Sequence, residues 1–251
     1  MSVLIFGRGF VGKATGALFK DEQIAWQDPA QGFEVDSLRQ VTRAIICVPT
    51  PIGTNGLDHT AVWDCLHWLA ARGWSGPVAV RSTCQPQVAA SMSEQHGCVI
   101  WPEFLRERSA LADAAAPHQL VLGGQQSKTH DWRLWLRGHD HARDAIWHLT
   151  DAATAAMIKL GINAALAAKV TLFNTLYDAC AVSGADWASV RVGVGLDPRI
   201  GAGQSMVPGP DGQRGYGGKC LPKDVGAIAD MLPDDEFITG MIARNLRTRH
   251  G

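Results

Sequence analysis

Seven short apolar runs alternate with helix-like stretches over residues 1 to about 150, and this alternation constrains the fold more than any other feature. Such a pattern is typical of a parallel sheet that is covered by helices on both faces. The predicted strands are VLIF (3–6), IAWQ (24–27), AIICV (44–48), VAVRS (78–82), CVIW (98–101), QLVLG (119–123) and AIWHL (145–149). We therefore expect an α/β fold with a doubly wound parallel sheet.

The composition changes at Asp151. The Ala-rich, amphipathic segment DAATAAMIKLGINAALAAKVTLFNTLYDACAVSG predicts one long helix. The segment ADWASVRVGVGL predicts a shorter helix, and a glycine-rich loop without strands is expected from about 197 to 219. The remaining residues fit two helices that are separated at Pro233. The predicted domains are an α/β domain over 1–150 and a helical domain over 151–251.

The overall composition argues against several classes of protein. A formal net charge of -1 and a pI near 6.7 lack the basic excess of a nucleic-acid-binding protein. No window approaches the roughly 20 apolar residues of a membrane span, and no basic leader precedes the first strand, so we expect a cytoplasmic protein without membrane partners. The cysteines are scattered without a CxxC pair, which favours reduced thiols over disulfides or a structural zinc site.

The segment VLIFGRGFVG places Gly7, Gly9 and Gly12 between the first strand and a helix that is expected to start near Gly12. In a βαβ unit, such glycines form a tight turn, admit a pyrophosphate to the backbone and allow close helix–strand packing. The start of the helix then attracts the anion. The motif predicts a Rossmann-type dinucleotide site.

Asp28 follows the second predicted strand, about 20 residues after the first glycine. A carboxylate at this position can accept hydrogen bonds from both hydroxyl groups of the adenosine ribose, and it repels a 2′-phosphate. We therefore expect NAD to be preferred over NADP.

The segment GYGGKCLPKD places Cys220 on a glycine-rich stretch between Lys219 and Lys223. A structural thiol usually has apolar neighbours, whereas nearby lysines favour a thiolate. Asp224 follows Cys220 by one helical turn. The stretch predicts a nucleophile. The other five cysteines lie in apolar strands or helices, where packing is expected.

Seven motifs occur in a fixed order along nearly the whole chain. They are GRGFVG, CVPTP (47–51), RSTC (81–84), PEFLRERSALAD (102–113), IKLGINAALAAKV (158–170), DPRIG (197–201) and GYGGKCLPKD. Together they resemble the UDP-glucose/GDP-mannose dehydrogenase family, whose members oxidise a primary alcohol of a sugar nucleotide to a carboxylate with two NAD. The resemblance implies the same fold, cofactor and substrate class.

The resemblance also implies roles for individual residues. Cys220 is similar to the family's nucleophile, while Lys159 and Asn163 resemble the pair that holds the substrate oxygen. Thr83, Glu103 and Asp224 resemble the groups that position and activate the hydrolytic water. The implied cofactor contacts are Gly7, Gly9, Phe10, Val11, Gly12, Asp28, Pro49, Thr50 and Thr83. The implied substrate contacts are Glu103, Phe104, Leu105, Lys159, Asn163, Arg199 and Gly217.

The residue types support this chemistry independently. Lys159 and Asn163 lie four apart on a predicted helix, so they share a face and can stabilise one alkoxide or oxyanion. A thiolate can trap an aldehyde as a hemithioacetal, which is the donor of a second hydride. The resulting thioester requires a water that Glu103 or Asp224 can activate.

The sequence also departs from the family. Trp101 replaces the Asn that precedes the Pro-Glu-Phe-Leu run, His118 and Gln119 lie where Asp-Arg is usual, and the chain ends where relatives continue into a third, nucleotide-closing domain. We therefore treat the chain as a short form. Two alternatives stay open: a two-electron NAD-dependent alcohol or hydroxy-acid dehydrogenase, and an inactive NAD-binding paralogue.

The expected partners are a small-molecule substrate, either a nucleotide sugar or a smaller sugar or nucleoside, and a second copy of the chain. In relatives the long helix forms the subunit contact, which predicts a homodimer. The cluster GHDHARD (138–144) places His139, Asp140 and His141 next to one another, but no further ligand follows at a suitable spacing. We therefore expect no metal site there.

Overall fold

Residues 2–53 and 56–250 are described in the computed structural model. All seven predicted strands are confirmed there, β8 with the predicted boundaries and the others with at least one boundary shifted by one to three residues, and two further short strands follow β3. The strands are β1 Ser2–Phe6, β2 Gln23–Gln27, β3 Val41–Ile46, β4 Ile52–Gly53, β5 Gly56–Leu57, β6 Val78–Val80, β7 Val99–Ile100, β8 Gln119–Gly123 and β9 Ile146–Thr150.

Helices follow most of the strands and form the second half of the chain. They are α1 Phe10–Gly16, α2 Thr60–Ala71, α3 Pro86–His96, α4 Ala110–Ala115, α5 Gln126–Leu136, α6 Ala152–Ser183, α7 Trp187–Leu196, α8 Leu221–Met231 and α9 Glu236–His250. The long helix α6 is confirmed, and it ends before Gly184, whose φ of +75° favours glycine. Helix α1 begins at Phe10 and not near Gly12.

Seven strands form one sheet in the order β2-β1-β3-β6-β7-β8-β9, and β4 pairs with β5 separately. Every neighbouring pair in the large sheet is parallel except β7 and β8, which are antiparallel. The predicted parallel sheet is therefore confirmed, with this one antiparallel pair as a local difference. Residues 101–118 connect β7 to β8 at the edge where β7 ends, so β8 starts at that edge and runs in the opposite direction.

The large sheet has an apolar core on each face. Alternate residues of β1 point to opposite faces, as strand geometry requires. Leu4 and Phe6 belong to a core with residues of α2 and α3, including Leu66 and Met92. On the other face, Val3 and Ile5 belong to a core with residues of α5. This double coverage confirms a doubly wound, Rossmann-type α/β fold.

The chain divides into two compact units. The first holds residues 2–53 and 57–159, and the second holds residue 56 and residues 160–250. Helix α6 contributes its residues up to Lys159 to the first unit and its remaining residues to the second. The 1–150 and 151–251 domains predicted from the sequence remain a proposal about the functional modules.

The second unit combines helices with a long irregular segment between α7 and α8. The Nζ atom of Lys169 on α6 donates to the carbonyl oxygens of Ile200 (2.6 Å) and Gly201 (2.8 Å) at the start of this segment. Asp178, also on α6, pairs with Arg214 (2.7 Å) and with Arg244. Helix α6 therefore anchors both the segment and α9.

Helix α6 is long and apolar enough to cross a membrane by length and composition alone, with a mean hydropathy of 1.4 over its most apolar window. The expectation that no stretch approaches a membrane span is therefore wrong on these two criteria. A core helix of a soluble protein meets the same criteria. Three charged side chains of α6 make polar contacts within their own units, namely Lys159, Lys169 and Asp178.

Candidate functional site

Five adjacent strands of the first unit end at the same edge of the sheet. Strands β2, β1, β3, β6 and β7 pair in parallel, so their carboxyl ends lie along one edge, where ligands bind in open α/β sheets. The candidate residues that follow these strands are Gly7 after β1, Asp28 after β2, Pro49 and Thr50 after β3, Thr83 after β6 and Glu103 after β7. The fold therefore brings these predicted residues to one edge.

The glycine turn after β1 has the shape that a dinucleotide requires. Gly7 has a φ of +84°, and a Cβ atom there would lie 2.7 Å from the carbonyl oxygen of Cys47. A Cβ atom on Gly12 would lie 2.0 Å from the carbonyl oxygen of Gly7. Gly9, in contrast, is exposed and has no atom within 4 Å of such a Cβ position. Two glycines thus permit the tight turn, and the third leaves the backbone open to a ligand.

Asp28 faces this turn from the end of β2. Its Oδ2 atom accepts hydrogen bonds from the backbone N–H of Arg8 and from Nε2 of Gln31, both at 2.7 Å. The guanidinium of Arg8 lies over the ring of Phe33, 4.3 Å from its centroid. The carboxylate is therefore held beside the turn, where the sequence placed the ribose-binding acid.

Glu103 and Lys159 form a buried ion pair in the first unit. Their Oε1 and Nζ atoms are 2.9 Å apart, and their side chains are only 6% and 5% exposed. The Oε2 atom of Glu103 accepts from the backbone N–H of Leu105 at 2.7 Å, and the ring of Phe104 lies 5.8 Å from Nζ of Lys159. Buried charges are tolerated only when they are paired and hydrogen-bonded, and this pair meets both conditions.

Asn163 and Asp224 form a second buried polar pair, in the second unit. The Nδ2 atom of Asn163 donates to Oδ2 of Asp224 at 2.5 Å. The Oδ1 atom of Asp224 lies 2.7 Å from Nζ of Lys223, and its side chain is fully buried. Both carboxylate oxygens therefore have partners, and Lys223 is engaged by Asp224.

Cys220 differs from the other five cysteines. It is half-buried and precedes the first residue of α8, whereas Cys47, Cys65, Cys84, Cys98 and Cys180 are buried. Burial raises the pKa of Cys47 to about 11 and the pKa of Cys65 and Cys98 to about 12. These three thiols are protonated at neutral pH, as the sequence predicted for packing cysteines. Cys220 is the accessible thiol in the described chain.

The remaining predicted residues vary in setting. Thr50 is buried, Pro49 is exposed, and Phe10, Val11 and Thr83 are half-buried. The Arg199 side chain is 87% exposed and pairs with Asp197 at 2.7 Å. Among the described residues, no group of three or more His, Cys, Asp or Glu side chains has the arrangement of a metal site.

Trp101, which replaces the family's Asn, is fully buried at the end of β7. The guanidinium of Arg81, at the end of β6, lies 4.0 Å from the centre of its ring. The backbone N–H of Trp101 donates to the carbonyl oxygen of Val80 at 2.8 Å. This stack joins the two strand ends that lead to Thr83 and Glu103.

The sequence reasoning missed the residues that hold the loop before Cys220. Asn174 on α6 and Asn245 on α9 are buried and bond to the backbone of Gly215 and Tyr216. The signal in the sequence was an Asn within each of two partly apolar helical segments. A buried amide must find hydrogen-bond partners, so each Asn indicated a polar contact with another part of the chain. Local spacing did not identify those partners.

The sheet order, the two covered faces and the glycine turn define the class of the first unit, a Rossmann-type α/β protein. Residues 153–248 match the sequence profile of the UDP-glucose/GDP-mannose dehydrogenase family, central domain. This match confirms the resemblance to the family that the sequence motifs indicated.

Two curated relatives have names that agree with this match. UDP-glucose 6-dehydrogenase YwqF of Bacillus subtilis is 37% identical over 186 residues, which are 74% of this chain and 35% of the relative. UDP-glucose 6-dehydrogenase AglM of Haloferax volcanii is 30% identical over 218 residues, which are 78% of this chain and 49% of the relative. The chain thus spans about half or less of the length of these relatives.

A solved structure shows the same fold. A UDP-glucose dehydrogenase from the archaeon Pyrobaculum islandicum superposes with a TM-score of 0.80 at 24% identity. The superposition covers 98% of this chain and 68% of that one. The α/β sheet and the helices that follow it are therefore a known arrangement.

Proposed function

We propose that the protein catalyses the NAD-dependent oxidation of a primary alcohol of a sugar nucleotide, or of a smaller sugar or nucleoside, to a carboxylate. Support comes from the family of its central domain and from relatives named UDP-glucose 6-dehydrogenase. The residues at the carboxyl edge of the sheet have the types that this reaction requires. The observation that carries the proposal is the accessible Cys220 thiol, in contrast to five buried cysteines.

The residues around the glycine turn fit NAD. The open backbone at Gly9 can receive the pyrophosphate, while Gly7 and Gly12 permit the turn. The Asp28 carboxylate would accept hydrogen bonds from the ribose hydroxyls and disfavour a 2′-phosphate. Bound NAD would supply the hydride acceptor. Phe10, Val11, Pro49, Thr50 and Thr83 remain proposed contacts of the cofactor.

The proposed chemistry uses a thiol and an oxyanion site. Lys159 and Asn163, four residues apart on α6, would stabilise the alkoxide from which the first hydride departs. The Cys220 thiolate would then form a C–S bond to the aldehyde carbon, and the carbonyl oxygen would take the negative charge. Loss of a second hydride leaves a thioester. Water then breaks the C–S bond, which yields the carboxylate and restores the thiol.

The carboxylates have supporting roles in this proposal. Glu103 or Asp224 would accept the proton of the attacking water, and Thr83 would help to position that water. Each carboxylate also balances a lysine, since Glu103 pairs with Lys159 and Asp224 pairs with Lys223. Phe104, Leu105, Arg199 and Gly217 remain proposed contacts of the substrate. No metal is required.

Two further properties are part of the proposal: the location expected from the sequence, and the subunit contact implied by the resemblance to the family. The protein would act in the cytoplasm, and two copies would associate through the helical domain. Neither nucleic acid nor a membrane is a proposed partner.

The proposal is tested by incubating the protein with NAD and a panel of nucleotide sugars, sugar phosphates and nucleosides, and by recording NADH formation. We expect turnover with at least one nucleotide sugar and a carboxylate product. A yield of one NADH per molecule of substrate would favour the two-electron dehydrogenase. Binding of NAD without turnover on any compound would favour the inactive paralogue.

A further inference from the structure

Cys220 is the last residue of a long irregular segment, which extends from Asp197 at the end of α7 to α8. Irregular segments of this length are usually mobile or functional, because they lack regular backbone hydrogen bonds. A covalent nucleophile must nevertheless be held near its productive position. The residues that fix this segment therefore decide where the thiol lies.

We propose that Asn245 is a positioning residue for Cys220. Its Oδ1 atom accepts from the backbone N–H of Tyr216 at 2.7 Å, and its Nδ2 atom donates to the carbonyl oxygen of the same residue at 2.9 Å. Asn245 is 6% exposed and Tyr216 is 4% exposed. One amide side chain thus binds both backbone polar groups of a residue that precedes Cys220 by four positions, as a neighbouring strand would.

Asn245 also packs closely against Gly215, the residue before Tyr216. Gly215 has a φ of +73°, and a Cβ atom there would lie 2.5 Å from Oδ1 of Asn245. The backbone N–H of Gly215 donates to Oδ1 of Asn174 at 3.1 Å. Asn174 and Asn245 therefore bind adjacent residues of the loop from two helices, α6 and α9.

Arg249 adds a third set of contacts one turn after Asn245 on α9. Its Nη1 atom lies 3.4 Å from the carbonyl oxygens of Arg214 and Gly215, and its Nη2 atom bonds to Asp211 (3.0 Å) and Gln213 (2.6 Å). These contacts restrain the loop before Tyr216.

Two glycines lie between Tyr216, which Asn245 binds, and the following Lys219 and Cys220. Gly217 has a half-buried backbone beside the Arg249 guanidinium, and Gly218 has a φ of +78°. Glycine offers the backbone many conformations, so without an anchor the segment before the thiol would sample a wide range. The anchors on its two sides are the hydrogen bonds of Asn245 to Tyr216 and the first turn of α8, which ends at the buried Asp224.

The catalytic part of this inference rests on the proposed function of Cys220, whereas the positioning itself is measurable without any substrate. The variants are Asn245→Ala, Asn245→Asp and Arg249→Ala, with Arg247→Ala as a control on the exposed side of the same helix. The first readout is the rate at which iodoacetamide alkylates Cys220, followed by mass spectrometry of its peptide. The second is hydrogen–deuterium exchange at the Tyr216 amide.

We expect Asn245→Ala to accelerate alkylation of Cys220 and exchange at Tyr216 on the order of tenfold, because the loop opens more often. Asn245→Asp keeps the acceptor for the Tyr216 N–H and loses the donor, so its rates should be intermediate. Arg247→Ala should match the unmodified protein. With UDP-glucose and NAD as probes, kcat of Asn245→Ala should fall on the order of tenfold to a hundredfold, while NAD affinity is unchanged.

If Asn245→Ala does not fold, Asn245→Asp provides the comparison, because it keeps the shape of the side chain and the acceptor for the Tyr216 N–H and loses only the donor to the Tyr216 carbonyl oxygen. Unchanged alkylation and unchanged exchange in a folded Asn245→Ala protein would overturn the proposal. Faster alkylation without any loss of kcat would also overturn the catalytic part of it. If the unmodified protein oxidises none of the sugar nucleotides, sugar phosphates and nucleosides, the proposed function fails, and the alkylation and exchange rates still decide the positioning role.

Discussion

At the residue scale, the buried charged and amide side chains among the candidate residues each have a hydrogen-bond or ion-pair partner. Glu103 pairs with Lys159, and Asp224 pairs with Lys223 while it accepts from Asn163. In each pair the partner compensates for burial, where an unpaired charge would be costly. In the proposed function this order would matter, since little reorganisation would be required when a substrate oxygen develops charge.

Asp28 gives a residue-scale prediction about the cofactor. Its carboxylate accepts a hydrogen bond from the backbone N–H of Arg8 in the glycine turn. A carboxylate there repels a 2′-phosphate, so NAD should bind more tightly than NADP. We expect Asp28→Ala to weaken NAD binding and to narrow the gap between the two cofactors. Fluorescence titration with NADH and NADPH measures both affinities. Equal affinities in the unmodified protein would contradict the assignment.

At the element scale, the short turn Asp140–Ala142 packs a histidine into the sheet's apolar core. His141 is buried, and its ring lies 5.9 Å from Phe19 and 6.0 Å from His139. Burial, followed by the nearby charges of His139 and Arg81, lowers the pKa of His141 from 6.5 to about 4. The folded protein therefore favours the neutral imidazole.

This lowered pKa predicts acid sensitivity. Between pH 6.5 and about 4 the unfolded chain binds a proton at His141 that the folded chain excludes. The free energy of unfolding should therefore fall as pH decreases through this window, by at most about 1.4 kcal/mol per pH unit, and His141 adds no pH dependence above it. Urea denaturation at several pH values should show a shallower slope for His141→Leu, whereas His148→Leu, on an exposed position of β9, should keep the original slope. Equal slopes for both variants would contradict the prediction.

The elements themselves were largely predictable, because strands and helices have distinct local periods. Strand β8 was placed with its final boundaries, and α6 was placed within one residue of its ends. The antiparallel pairing of β8 was not predictable, since an apolar run carries no direction. The pair of Glu103 and Lys159 also escaped prediction, although both residues were candidates, because their contact joins positions 56 residues apart. Tertiary contacts of this kind are not encoded in local spacing.

At the scale of the whole molecule, the helical region leaves apolar side chains uncovered. Leu172 and Val182 on α6 are 53% and 90% exposed, Leu196 on α7 is 76% exposed, and α7 has no buried residue. Exposed apolar surfaces of this kind often mark subunit contacts, which agrees with the proposed homodimer. Light scattering at micromolar concentration should give about twice the chain mass of 27.0 kDa. A monomeric mass would remove this part of the proposal.

The central claim is that Cys220 forms a covalent bond during a four-electron oxidation. The most direct measurement is the number of NADH molecules formed per molecule of carboxylic acid, with the Cys220→Ser variant as the comparison. We expect two NADH per acid from the unmodified protein, and a decrease in turnover of several orders of magnitude for Cys220→Ser with unchanged NAD binding, because a hydroxyl is a far weaker nucleophile than a thiolate. A ratio of one NADH, or full activity of Cys220→Ser, would contradict the claim.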